Sequence, residues 1–115
     1  MNPKDVAGRG KAPLHLLPGP ALVAAAEALR NGAEKYGPYN WRKEPILAST
    51  YVSAAERHLR AWYDGENDAP DSGIDHLAHA LAGLMILVDA RACGAMMDDR
   101  PPPAPTGKYL AKAEK

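Results

Sequence analysis

Three stretches of this chain repeat apolar residues at the three-to-four spacing of an α-helix, and the breaks between them are rich in glycine, proline and charge. The first, "PALVAAAEALRNGAEKYG", starts near Pro20, a favourable first-turn residue, can bend at Gly32 and stops at Gly37-Pro38. A loop, "PYNWRKEP", follows. The second, "ILASTYVSAAERHLRAWYDGE", is closed by Gly65. At about 100° per residue, Tyr51, Ala55, His58, Leu59 and Trp62 share one face, so His58 points into the apolar side. Glu56 and Tyr63 flank that face, while Arg57, Arg60 and Asp64 point away.

The third stretch, "SGIDHLAHALAGLMILVDA", is expected to be capped by Asp71 or Ser72, with Asp75 near the positive helix end. Ile74, Leu77, Leu81, Leu84, Met85 and Val88 make one apolar face. Asp75, His76, His79 and Gly83 form a strip on the other side, continued by Ile86 and Leu87. A helix apolar on two sides sits between neighbours, which places the polar strip inside an assembly. The pattern divides the chain into an extended arm over residues 1–19, a helical domain over 20–93 and a Pro-rich, polar tail over 94–115, extended or mobile. There is no internal repeat.

At 115 residues the chain is a single domain, small enough for a partner subunit to supply much of its buried surface. Fourteen basic residues balance fourteen acidic ones, which argues against a nucleic-acid or membrane-surface partner. Alanine and leucine dominate the apolar fraction and phenylalanine is absent, a composition for closely packed helices. Cys93 stands alone, so no internal disulfide forms and a reducing cytosol is expected. The N-terminus is broken by Pro3, Gly8, Gly10 and Pro13, so no secretory signal is expected, and the largely apolar run from Leu77 to Val88 is too short to cross a bilayer. These features predict a cytoplasmic protein.

Two clusters carry candidate chemistry. His76 and His79 are neighbours on a helix surface, and His58 faces inward from the preceding helix with Glu56 and Asp75 nearby. Such a set suits a metal or catalytic site: imidazole with carboxylate for Mn2+, Fe2+ or Zn2+, carboxylate with water for Mg2+. The spacing matches neither C-x-x-C nor H-E-x-x-H, and core histidines bonded locally are the plain alternative. The second cluster is "GAEKYGPYNWRKEP". Lys35, Arg42 and Lys43 can hold phosphate oxygens, Tyr36, Tyr39 and Trp41 can stack on a base, and the Asn40 amide can read a base edge. Its alternative is a solvated helix end with one aromatic anchoring the loop. The acidic linker Glu66, Asp68, Asp71 is either a solvated turn or a source of outer carboxylates, and "GRGKAP" lacks the setting of a phosphate loop.

"GKAPLHLLPGPAL", "GAEKYGPYNW", "RHLRAW…GE" and "DSGIDHLAHA" stand in that order within about residues 9–93. Together they resemble the phage dATP/dGTP diphosphohydrolases, a MazZ-like group related to the MazG-type nucleotide pyrophosphohydrolases. The resemblance implies an all-α, MazG-like helical bundle completed by oligomerisation into a dimer or tetramer. It implies Mg2+- or Mn2+-dependent hydrolysis of a purine deoxynucleoside triphosphate, dGTP first and dATP second, to the monophosphate and pyrophosphate. In a phage, and hence in the host cytoplasm, the dGMP can feed synthesis of 2-aminoadenine nucleotides. The MazG-type metal pattern is E-x-x-E on one helix and E-x-x-D on the next. Here only Glu56 stands on the second helix, Ser53 and Leu59 taking the alternative positions, and His76 and His79 hold the spacing on the third beside Asp75. The implied metal ligands are Glu56, Asp75, His76 and His79. Glu56 and His58 are the implied catalytic pair, with His58 accepting a proton from water or orienting a carboxylate. Lys35, Tyr36, Asn40, Trp41 and Arg57 are the implied substrate contacts, Arg57 from a neighbouring subunit by its helical phase. An HD-type triphosphohydrolase is one rival, although the order here is Asp75-His76. A non-catalytic helical oligomer that binds nucleotides is another.

Overall fold

The N-terminal arm is not extended throughout. In the computed structural model, which describes residues 1–114, α1 (Pro3–Gly8) forms because the Asn2 side chain accepts from the Lys4 N–H at 2.8 Å and Pro3 sits in the first turn. A 3-10 turn at Leu14–Leu16 follows. The first long helix, α2 (Gly19–Tyr36), carries Pro20 where its missing N–H costs nothing, and stops at Gly37. Gly37 has φ +91°, a conformation open to glycine, and its N–H donates to the Ala33 carbonyl at 2.8 Å. Tyr39, itself left-handed at φ +56°, leads into the single turn α3 (Asn40–Lys43).

Between α3 and α4 (Ala48–Tyr63) lies a feature the periodicity does not predict: β1 (Ile46–Leu47). It pairs in parallel with β2 (Met96–Met97), which follows α5 (His76–Ala92), in the register Ile46 to Met96 and Leu47 to Met97. The chain after β2 also returns to α4. The Asp99 carboxylate accepts from the Ser49 N–H at 2.8 Å and from the Ser49 hydroxyl, capping the start of the helix. The tail then carries α6 (Thr106–Leu110) and a 3-10 turn at Ala111–Glu114.

Helix α5 starts later than Asp71 or Ser72 would set it. Its N-cap is Asp75, whose carboxylate accepts from the Leu77 N–H at 2.8 Å. The residues before it are held in a closed loop by their own backbone. The Ala69 N–H donates to the Ile74 carbonyl, the Gly73 N–H to Ala69 and the His76 N–H to Asn67, all at 2.8–2.9 Å. Gly73 turns the loop at φ +73°.

The fold is all-α apart from the short strand pair, with α5 packed between α2 and α4. Every buried apolar residue described is an alanine, among them Ala25, Ala28, Ala55, Ala78 and Ala82, so the helix backbones approach closely. The histidine side of α5 is therefore the inside of this chain. Its leucine side, Leu77, Leu81, Leu84, Met85 and Val88, lies exposed. The radius of gyration of 17.6 Å exceeds the ~13 Å expected for a compact chain of this length, because arm and tail reach outward and the core is thin.

Candidate active site

The last turns of α2, the α3 turn, and the inner faces of α4 and α5 enclose a cavity of about 230 Å3. It is lined by Lys35, Tyr36, Asn40, Trp41, His58 and His79, together with Asn31, Tyr51, Asp71 and apolar residues of α2 and α5. The helical repeat explains the convergence. His58 and His79 sit on the buried faces of facing helices, and Lys35 and Tyr36 close α2 directly beneath the α3 turn.

The histidines form one connected group. His58 and His79 rings stack at 4.7 Å between centroids with an interplanar angle of 16°. His58 Nδ1 lies 2.8 Å from His76 Nδ1, and His76 Nε2 lies 2.6 Å from Glu66 Oε1. His79 Nε2 lies 2.7 Å from Ser72 Oγ, and that hydroxyl oxygen accepts from the Ile74 N–H at 3.2 Å. His76 is buried behind the cavity, only 5% exposed. Burial lowers the pKa of His58, and the neighbouring His79 and His76 lower it further while Asp71 opposes. Burial likewise lowers His79; Asp71 pulls it up and Lys35 pushes it down. Burial raises the Tyr51 phenol at the cavity wall, with Tyr36 adding to it. The site thus holds two rings that favour the neutral, proton-accepting form, one cation and one carboxylate.

A family model described as "dATP/dGTP diphosphohydrolase, N-terminal" matches residues 1–100. The chain belongs to this family. A dATP/dGTP diphosphohydrolase of Salmonella phage PMBT28 is 33% identical over 79 residues, 69% of this chain. The match spans 27% of that relative's length. No solved structure matches the chain.

Within this family member the expected site residues divide into two groups. Lys35, Tyr36, Asn40 and Trp41 meet His58 and His79 in one cavity. Glu56, Arg57 and Asp75 do not reach it. Glu56, about 200° round the helix from His58, is exposed and lines a separate groove with Leu59, Arg60, Trp62 and Tyr63. Arg57 turns outward and donates to the Ser53 hydroxyl at 2.9 Å. The Asp75 carboxylate is engaged as the cap of α5, and both His76 nitrogens are engaged by Glu66 and His58. Among the described residues no three His, Cys, Asp or Glu side chains gather closely enough to hold one metal ion. None of the described helices is long and apolar enough to cross a membrane.

Asp71 lines the cavity, and Glu66 and Ser72 hold the histidines from the loop before α5, so the acidic linker supplies side chains to the site, one of its two readings from the sequence. Tyr51, on the inward face of α4, also lines the cavity, whereas Asn31 and Asp89 escape a reading of the sequence. Asp89 is the most distant. One of its oxygens accepts from the Trp41 indole N–H at 2.8 Å, and both accept from Arg42 at 2.8 and 2.9 Å. The Arg42 guanidinium, with the indole N–H second, holds the Asp89 carboxyl down at about 2, and itself lies 4.5 Å from the Tyr39 ring centre. Trp41 also borders a neighbouring, more apolar cavity of about 510 Å3 lined by Tyr39, Met85 and Ile86.

Proposed function

We propose that this chain hydrolyses a purine deoxynucleoside triphosphate, dGTP before dATP, to the monophosphate and pyrophosphate. The observation that carries the reading is the meeting of Lys35, Asn40, Trp41, His58 and His79 in one cavity of a chain that belongs to the dATP/dGTP diphosphohydrolase family. Lys35 supplies the cation for phosphate oxygens. Trp41 and Tyr36 supply aromatic surface for a base, and the Asn40 amide can both donate and accept, as a guanine edge requires. His58, favoured neutral, accepts a proton from the attacking water.

Dependence on Mg2+ or Mn2+ belongs to the same proposal. Mg2+ is usually held by one or two carboxylates plus substrate phosphates, so the ion can accompany the triphosphate without a dedicated protein cage. When bound it neutralises phosphate charge. The dGMP product suits a phage that builds 2-aminoadenine nucleotides. The exposed leucine side of α5 supports a homo-oligomer as the working form.

Ion-exchange separation of the products from each of the four dNTPs, with Mn2+ and with Mg2+, tests the reading. dGMP and pyrophosphate from dGTP are expected. Tripolyphosphate would assign the chemistry of the HD-type enzymes, and tight nucleotide binding without turnover would mark a binding protein.

A further inference from the structure

The chain Glu66–His76–His58 does more than fill the core. A carboxylate only accepts hydrogen bonds, so the 2.6 Å contact from Glu66 Oε1 requires the hydrogen of His76 to be on Nε2. With that single ring hydrogen, His76 has a bare Nδ1. That atom lies 2.8 Å from His58 Nδ1, and two bare nitrogens would repel, so His58 carries its hydrogen on Nδ1 and donates it to His76. In a neutral imidazole the other nitrogen is bare. His58 lines the cavity whereas His76 does not, so of the two rings it is His58 that can act there.

We propose that Glu66 and His76 are positioning residues that fix His58 in the tautomer with a bare Nε2, ready to accept a proton inside the cavity. The proposal rests on the hydrolytic reading given above. In that reaction the water oxygen forms a bond to the α-phosphorus, and the bond from the α-phosphorus to the bridging oxygen breaks. Pyrophosphate leaves with the electron pair, one water proton goes to His58 Nε2, and the other stays with the monophosphate. Glu66 and His76 touch no reacting atom. Their part is to prevent the Nε2–H tautomer, which would present a donor where an acceptor is needed. The geometry suits this work. His76 is enclosed, its side chain 7% exposed, so its ring has one available orientation, while the Glu66 side chain is 51% exposed and comes from a loop outside the helices. The stacked His79 ring, held through Ser72, fixes the plane of His58 from the other side.

The test uses the full chain labelled with 15N-histidine, read by long-range 15N–1H correlation, beside steady-state kinetics with dGTP. In the unaltered protein His58 is expected as the Nδ1–H form. In Glu66→Ala it should become a mixture of tautomers, and kcat should fall by about 10- to 100-fold, a part of the ~10²–10⁴ that a positioned base supplies, with KM within about two-fold. Glu66→Gln retains a carbonyl oxygen to accept from His76, so it should keep the His58 tautomer and most of kcat. The position is exposed enough for both variants to fold, and their melting curves serve as the control. An unaltered protein showing His58 with its hydrogen on Nε2 overturns the proposal. So does Glu66→Ala with the His58 tautomer and kcat unchanged. If no dNTP is turned over, the hydrolytic reading fails, and with it the part assigned to this pair, while the spectra still decide how His58 is held.

Discussion

The indole N–H of Trp41 donates to the Asp89 carboxylate at 2.8 Å across 48 residues of sequence. Arg42 grips the same carboxylate with two N–H groups, so the α3 turn is tied to α5 through one side chain. The contact pins the edge of the indole that carries nitrogen, and it is this pinned ring that borders both cavities. Asp89→Ala should lower the melting temperature and shift the tryptophan emission towards that of a mobile, hydrated indole. It should also raise KM for purine dNTPs more than it lowers kcat. Asp89→Asn, which keeps an acceptor but loses the charge, should fall between. An Asp89→Ala variant with unchanged emission and KM would show that the tie does not shape the site.

Asn40 and Trp41 are adjacent yet should fail differently. Trp41→Ala removes both an aromatic face and the Asp89 contact, so it should destabilise the fold and weaken dGTP and dATP alike, by roughly 1–3 kcal/mol if the indole stacks on the base. Asn40→Ala should leave the melting temperature nearly unchanged and alter the dGTP to dATP ratio of kcat/KM, because a site built around a hydrogen bond discriminates by leaving it unmade. Equal ratios in Asn40→Ala and the unaltered protein would remove Asn40 from base selection.

Stability should depend on pH through His58 and His79. Both have folded-state values below the ordinary 6.5, chiefly because burial penalises the charged ring. His79, His76, Asp71 and Arg57 act on His58, and Asp71, Lys35, His76 and Asp75 act on His79. A ring with a depressed value binds fewer protons folded than unfolded, so its contribution is fully present above about pH 6.5 and is lost as pH falls through the folded values. The melting temperature should therefore drop from about pH 7 to about pH 5. The same scan on a His58→Gln/His79→Gln double variant should be flatter, and an equally steep scan would place the acid sensitivity elsewhere.

How much of this was legible in the sequence follows from which forces are local. The three long helices could be read because apolar spacing and the stops at Gly37 and Gly65 act within a few residues. Periodicity leaves His58 and the Lys35–Trp41 loop as two separate clusters, and only the family resemblance assigns them to one site. The start of α5 was misplaced because "DSGID" contains several residues fit to cap a helix, and the choice of Asp75 is made by backbone bonds from Asn67 and Ala69. Glu56 looked close to His58 in sequence, but two residues along a helix is nearly the opposite side. Asp89 left only a faint signal, a lone carboxylate ending an apolar stretch, and its partners lie in a loop whose path no periodicity describes. The pairing of β1 with β2 and the Asp99 cap on α4 are likewise long-range contacts between short, patternless segments.

The leucine side of α5 should be where copies of the chain meet. Leu77, Leu81, Leu84 and Val88 recur every three to four residues on one exposed stripe, and the core beneath them is alanine. Sedimentation should give a dimer or tetramer at micromolar concentration, and Leu81→Glu or Leu84→Glu should shift it towards monomer with a lower melting temperature. A folded monomer in the unaltered protein would leave that stripe unexplained.

Diphosphohydrolysis in the cavity that holds His58 is decided by comparing the products of two proteins. Products formed from dGTP by the unaltered protein and by His58→Gln are separated by ion exchange under identical metal conditions, with melting curves to confirm that both are folded. Equal amounts of dGMP and pyrophosphate are expected from the unaltered protein, and a rate about 10²–10⁴ lower from the variant. Undiminished turnover by His58→Gln, or tripolyphosphate as the inorganic product, would contradict that expectation.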